Sequence, residues 1–358
     1  MSKGKTYGPE RVHYTDARTG THVLQITSHP TIGFCLAYTN RNFTPDSRTL
    51  ILMLQRSACR DAPLDLFRVD VDGSNLTQLT ESDSISGMLL ARDGTGVYFW
   101  RENALWRVEM DTFVETEIAR PDREFVLNTA TMSPDGKYYL ANSVAFDGER
   151  TFLARFATDG SEPPLVVSPF DHWAGIHSAD PGGRGLSTYF YRNGIKEHHL
   201  LRYDFEDIGV FTTTTDFAHS TWLGATGRIQ GCGLPPERGL FTIGLGEEVP
   251  ARLTEGPYCW HSCSSEDGEW IIADTNWPDR GLQLVHVATG RYAPLCYPQS
   301  SLGAHQYQHP HPQFSPDGRY VLYNSDRSGI TQPYLAEISD AVRAHIRDGR
   351  LDAFANAR

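Results

Sequence analysis

QFSPDGRYVLY, residues 313–323, reads as a hairpin. Pro316-Asp317-Gly318 sets a tight turn, and the flanks alternate aromatic or β-branched residues with polar ones. The pattern recurs upstream as NFTPDSRTLIL from Asn42, LLARDGTGVYF from Leu89, TMSPDGKYYLA from Thr131 and SADPGGRGLSTYF from Ser178. It continues as WLGATGRIQGC from Trp222 and CSSEDGEWIIA from Cys263. Measured on the turn residue, the units stand at 46, 93, 135, 180, 226, 267 and 317, with spacings of 47, 42, 45, 46, 41 and 50. After each hairpin comes another strand: LFRVDVDG, LWRVEMDT, LARFATDG, LLRYDFED, LFTIGLGE, LQLVHVATG and PYLAEISD. Seven units of ~45 residues with three or four short strands each predict an all-β fold, a seven-bladed β-propeller. A β-sandwich followed by another all-β domain would show no regular period. HVLQITS (His22 to Ser28) precedes the first full unit, and the last unit runs out of strands after PYLAEISD. The N-terminal strand is therefore expected to close the last blade. DAVRAHIRDGRLDAF is expected as a short C-terminal helix outside the ring. No linker interrupts residues 1–358, which read as a single domain.

Hydrophobic residues at 39% and charged residues at 21% suit a chain with a large core and exclude disorder. No run approaches the ~18 apolar residues of a membrane span. The opening MSKGKTYGPERVHYTDARTG lacks the apolar stretch of a secretory signal. Six cysteines (35, 59, 232, 259, 263 and 296) follow no disulfide or zinc spacing and are expected as reduced core thiols of a cytoplasmic protein. With 32 basic against 44 acidic residues, nucleic acid is not an expected partner. A small anionic substrate is still compatible, since a pocket can be locally positive.

In a propeller the innermost strands line the central channel. His177, His219, His261, His309 and His311 all lie on or just before inner strands, in the fourth to seventh blades. The sharpest string is QYQHPHPQFSPDG, with Gln306, His309 and His311. His-x-His on a strand puts both imidazoles on one face, as a shared metal requires. Pro310 and Pro312 cannot donate to a ladder, so this stretch enters or edges the channel. His261, in CWHSCSSEDG, enters one blade earlier. Three histidines and a glutamine would leave an ion its full Lewis acidity, and Mn, Zn, Ni and Fe all accept such ligands. His219, one blade before His261, reads either as a channel-lining residue or as a general base. His177 reads as a substrate contact. The segment YFYRNGIKEHHLLRYDF carries Arg192, Lys196, His198, His199 and Arg202, the densest cationic stretch near these positions. It reads either as an exposed polar hairpin or as part of the site. P-loop, G-x-G-x-x-G, G-x-S-x-G and H-E-x-x-H motifs are absent from the sequence.

Through these residues the chain resembles the oligogalacturonate lyases, polysaccharide lyase family 22. The likeness runs from MSKGKTYGPERVHYTDARTGTHVLQITSHP through the FTPD-type blades to QYQHPHPQFSPDG and the following VLYNSDRSG. The resemblance implies a divalent metal ion, Mn2+, held by His261, Gln306, His309 and His311. It implies His219, in AHSTW, as the proton-abstracting base, with Trp222 kept and the family's Glu-Phe replaced. The family's catalytic arginine falls in the region EHHLLRYDF, where the simplest alignment puts His199; Arg202 or Arg192 would have to substitute. The implied reaction is β-elimination on a short uronate oligosaccharide in the cytoplasm. The competing expectations are a non-catalytic, TolB-like propeller that binds sugar or protein, and a lyase for another uronate-containing glycan.

Overall fold

The computed structural model describes residues 3–349 except 60–61, 82–83, 125, 145–150, 171–172, 193 and 213–216. Six four-stranded antiparallel sheets and one five-stranded sheet follow one another along the chain. They are the seven blades. The first strands of the blades are Gly33–Cys35, Ser86–Leu90, Val126–Met132, Trp173–Ala179, Phe217–Trp222, Cys259–Ser264 and Gln313–Phe314. First strands of successive blades touch one another from the second blade to the seventh, so they form the inner ring.

The turns hold because Asp and Ser side chains replace backbone partners. Ser315 Oγ donates to Asp317 Oδ1 at 2.6 Å, and that carboxylate accepts the Arg319 N–H at 3.0 Å. Gly318 sits at φ 71°, where a Cβ would be strained. Ser133-Asp135 and Ser265-Asp267 repeat the arrangement.

His22–Gln25 pairs with Gln332–Glu337, so the N-terminal strand closes the last blade as expected. Outside it the structure adds a strand that the repeat count did not anticipate, Val12–Thr15. The last inner strand shrinks to Gln313–Phe314, because Pro310 and Pro312 withhold their donors. The C-terminal helix, Asp340–Asp348, starts at Ser339, whose hydroxyl accepts the Val342 N–H, and stops at Gly349 with φ 73°.

The core is divided among the blade interfaces. Leu24, Leu322 and Leu335 meet Leu50, Leu52 and Phe67 where the seventh blade joins the first. Each interface has one such apolar cluster. Among the described residues the cluster between blades six and seven has fourteen buried members, whereas that between four and five has six. At the latter interface His198 of the fourth blade packs on Phe217 of the fifth.

Candidate active site

The inner strands are not regular. Pairing with the neighbouring strand slips between Ile176 and Ser178, between Ala218 and Thr221, and between Cys259 and Ser262. Each slip is a β-bulge, which re-aims a side chain out of the alternation. The residues inside the three bulges include His177, His219 and His261. His219 has φ 50° and His311 φ 47°, left-handed conformations uncommon for histidine. Bulges and positive φ together turn these imidazoles toward one another.

His261 and His311 form the tightest pair. Their ring centroids are 4.1 Å apart, and the two Nε2 atoms face each other at 3.2 Å. Asp274, on the next strand of the sixth blade, holds both. Its Oδ1 accepts the His261 N–H at 2.7 Å; its Oδ2 accepts the His311 N–H at 3.2 Å and lies 2.9 Å from His261 Nδ1. Donation from Nδ1 to the carboxylate leaves the lone pair of His261 on Nε2. The rings of His309 and His219 lie 5.5 Å and 4.8 Å from that of His261. Tyr38 covers His261 and His311 at 5.0 and 5.4 Å, and Trp260 packs on His219 at 4.6 Å.

Among the described residues no three His, Cys, Asp or Glu side chains are already gathered as a metal cluster. The preformed part is the facing nitrogen pair. Metal–nitrogen bonds of ~2.1 Å at about 90–110° separate their nitrogens by roughly 3.0–3.4 Å, so the pair fits one edge of a coordination shell. His309 puts Nε2 3.0 Å from the Gly303 carbonyl, while its Nδ1 is buried without a partner. That unmatched nitrogen, beside the pair, also fits an ion. Gln306 opens the short 3-10 turn Gln306–Gln308 and is exposed.

Burial drives the electrostatics. It holds the His261 and His311 rings well below the ordinary histidine value and lowers His219 to about 3, with the adjacent His261 adding to the effect on His219. Burial raises the carboxyl of Asp274 to about 6. His177 and His198 are likewise pushed down, His198 to about 3, first by burial and then by Lys196. These neutral rings have a consequence for stability. The unfolded chain takes up protons near pH 6.5 that the folded rings refuse, so stability is full above that pH and falls as pH drops through it. Each such histidine contributes up to ~1.4 kcal/mol per pH unit. Asp274, whose folded value is raised, works in the opposite direction but offsets only one of the five. Urea midpoints of metal-free protein should therefore fall between pH 7.5 and 5; an unchanged midpoint would contradict the neutral cluster.

The fourth blade sorts its cationic stretch by alternation. Tyr189 pairs with His198 and Tyr191 with Lys196, while Phe190 pairs with Glu197 and Thr188 with His199. His198, fully buried, stacks on His177 at 5.7 Å and meets Phe217 of the fifth blade at 5.5 Å. Gly175 admits this wall, because the Tyr189 ring occupies the space a Cβ would need. His199 lies on the other face, with Nδ1 2.8 Å from Asp207 and Nε2 3.2 Å from Glu197. Arg192 pairs with Glu197 at 3.0 Å, also on that face. Arg202 is exposed and pairs with Glu206 and Asp204. The structure thus gathers His177, His219, His261, His309 and His311, and it directs His199, Arg192 and Arg202 elsewhere. Within the cationic stretch the structure puts His198 against His177, with Lys196 on the same face. Asp274 and Tyr38 join the cluster without having been singled out.

No protein-family model matches the chain. An oligogalacturonate lyase from Dickeya dadantii is 23% identical over 394 aligned residues, spanning 96% of this chain and 100% of that protein. An oligogalacturonide lyase from Pectobacterium atrosepticum is 22% identical over 406, with the same coverage. A solved oligogalacturonate lyase in complex with manganese superposes with a TM-score of 0.82 at 20% identity, covering 96% of this chain and 100% of that one. The oligogalacturonate lyase of Vibrio parahaemolyticus gives 0.80 at 17% identity, covering 95% and 100%. The chain is a distant homologue, over nearly its whole length, of the oligogalacturonate lyases, carried on a seven-bladed β-propeller.

Proposed function

We propose that this protein is a metal-dependent lyase that cleaves short, oligogalacturonate-like uronate chains by β-elimination. The observation that carries the reading is the placement of His219 against the His261–His311 pair, with ring centroids 4.8 Å apart. Elimination needs two things side by side: a group that neutralises the carboxylate and a base for the adjacent C5 proton. The pair His261–His311, with His309 and Gln306, would hold a divalent ion; the manganese of the solved relative makes Mn2+ the first candidate. Bound there, such an ion would ligate the carboxylate and acidify the C5–H bond.

The remaining work belongs to the chain. His219 is neutral, and its Nδ1 is buried without a partner, so a lone pair is available for the proton. The C5–H electron pair becomes the C4=C5 double bond, and the C4–O4 bond breaks with its electrons on the leaving sugar. Proton uptake by a buried imidazole requires nearby negative charge, which an anionic substrate brings. Trp260 and Tyr38 pack against the cluster and hold the rings of His219 and His261 in place. His177 is assigned a substrate contact. All six cysteines are free thiols, which agrees with a reducing, cytoplasmic setting.

Metal analysis combined with an ultraviolet assay for the unsaturated product tests the reading. Wild-type protein should bind one divalent ion and release product from oligogalacturonates. A His309→Ala/His311→Ala double variant should lose the ion and the activity together. Full metal content in that variant would place the ion elsewhere, and absence of product with metal-loaded wild type would remove the lyase reading.

A further inference from the structure

Among the described residues Lys196 has no counter-charge. Its ammonium lies 4.8 Å from the centroid of the Tyr189 ring, on the face of the fourth blade that carries His198 and Tyr191. The adjacent acid, Glu197, points to the opposite face and is already engaged by Arg192 and His199. Among the described residues no carboxylate reaches Lys196, in a protein whose net charge is −12. Its surroundings are neutral imidazoles and phenols, and burial lowers the ammonium to about 8. Removing an ammonium from water without a partner is unfavourable. Among the described residues no anion meets this cation, so it is open to the charge of an anionic ligand.

The position of that anion follows from what shares the Lys196 face: His198, which stacks on His177 at 5.7 Å and meets Phe217 at 5.5 Å on the strand that carries His219. His219 therefore stands between two poles. On one side is the His261–His311 pair of blades six and seven; on the other is Lys196 of blade four. A uronate disaccharide carries a carboxylate on each of two linked sugars. If one is held beside the His261–His311 pair and loses its C5 proton to His219, the neighbouring sugar reaches toward the second pole.

We propose that Lys196 is the specificity-determining residue that pairs with the carboxylate of the neighbouring sugar, so that the site selects substrates with carboxylates on both linked residues. This rests on the lyase reading above and names its second subsite.

The test compares digalacturonate with its monomethyl ester, blocked only on the sugar that does not lose a proton. A charge-assisted contact in a partly buried site is worth roughly 10–100-fold in kcat/KM, and wild type should favour the dianion by that ratio. Lys196→Met should bring the ratio toward one by slowing digalacturonate alone, and Lys196→Arg should restore most of it. A merely structural lysine predicts equal losses on both substrates and an unchanged ratio, which would overturn the proposal. If metal-loaded wild type cleaves neither compound, the lyase reading fails by itself. Calorimetric binding of the same two ligands then decides the subsite. A preference for the dianion that Lys196→Met abolishes supports it; a preference that survives, or no binding, overturns it.

Discussion

Replacing His219 by alanine is expected to lower kcat by ~10²–10⁴-fold, the usual contribution of a positioned general base, with metal content and substrate affinity nearly intact. The expectation comes from geometry before it comes from resemblance. His219 sits in a bulge at φ 50°, a conformation that costs an L-residue roughly 1–2 kcal/mol and persists only where the surroundings enforce it. The arrangement turns the ring onto His261 and Trp260 and leaves Nδ1 unmatched. A His219→Gly variant removes the same imidazole while relieving the backbone, so it should be more stable than His219→Ala by about 1 kcal/mol and equally slow. Two variants with the same chemistry and different stabilities separate loss of the base from loss of the fold. Turnover above a tenth of wild type in either folded, metal-loaded variant would show that the proton goes elsewhere. His177 and His198 would then be the places to look, since His199 faces Asp207 and Glu197 on the opposite side of its strand.

The fold was legible because a propeller repeats its turn chemistry. A Ser/Thr-x-Asp turn uses the same three hydrogen bonds in the first, third, sixth and seventh blades, and those bonds need particular side chains at particular offsets. The blade count and the pairing of His22–Gln25 with the last blade follow from that pattern. The outermost strand, Val12–Thr15, was not visible, because its short VHYT run is mostly exposed and lacks the turn signal. The site was legible only in part. Histidines on inner strands stand out, but the bulges that aim them leave no mark in composition. The stretch with His198, His199 and Arg202 stood out as a whole, and the decisive comparison within it was between His198 and His199. Their faces are fixed by pairing with Tyr189 and Thr188, which is a matter of register. Asp274 was invisible for a different reason. It lies on the second strand of its blade, in IIADTNWPD, and only three-dimensional pairing brings it to His261 and His311.

Asp274 carries the other large expected effect. Its carboxylate accepts two backbone N–H groups and lies 2.9 Å from His261 Nδ1, with the side chain almost fully buried. An Asp274→Ala change would strand three donors at roughly 1–3 kcal/mol each, so that variant would report on folding more than on chemistry. Asp274→Asn is the sharper probe, because its volume is nearly unchanged. An amide that keeps its oxygen on the His261 N–H presents NH2 to His261 Nδ1, which must then accept, and leaves the His311 N–H without its acceptor. The imidazole proton moves to Nε2, the atom that faces His311 at 3.2 Å. A protonated Nε2 has no lone pair for an ion, and loss of an orienting carboxylate of this kind typically lowers metal affinity by ~10–100-fold. The expected Asp274→Asn protein is folded, binds Mn2+ more weakly by that factor in calorimetric titration, and recovers much of its turnover when metal is raised to saturation. Recovery distinguishes an orienting role from a direct part in proton transfer, which excess metal would not restore. If Asp274→Asn binds Mn2+ as tightly as wild type, the tautomer of His261 is not set by this carboxylate, and the facing Nε2 pair is not where the ion binds.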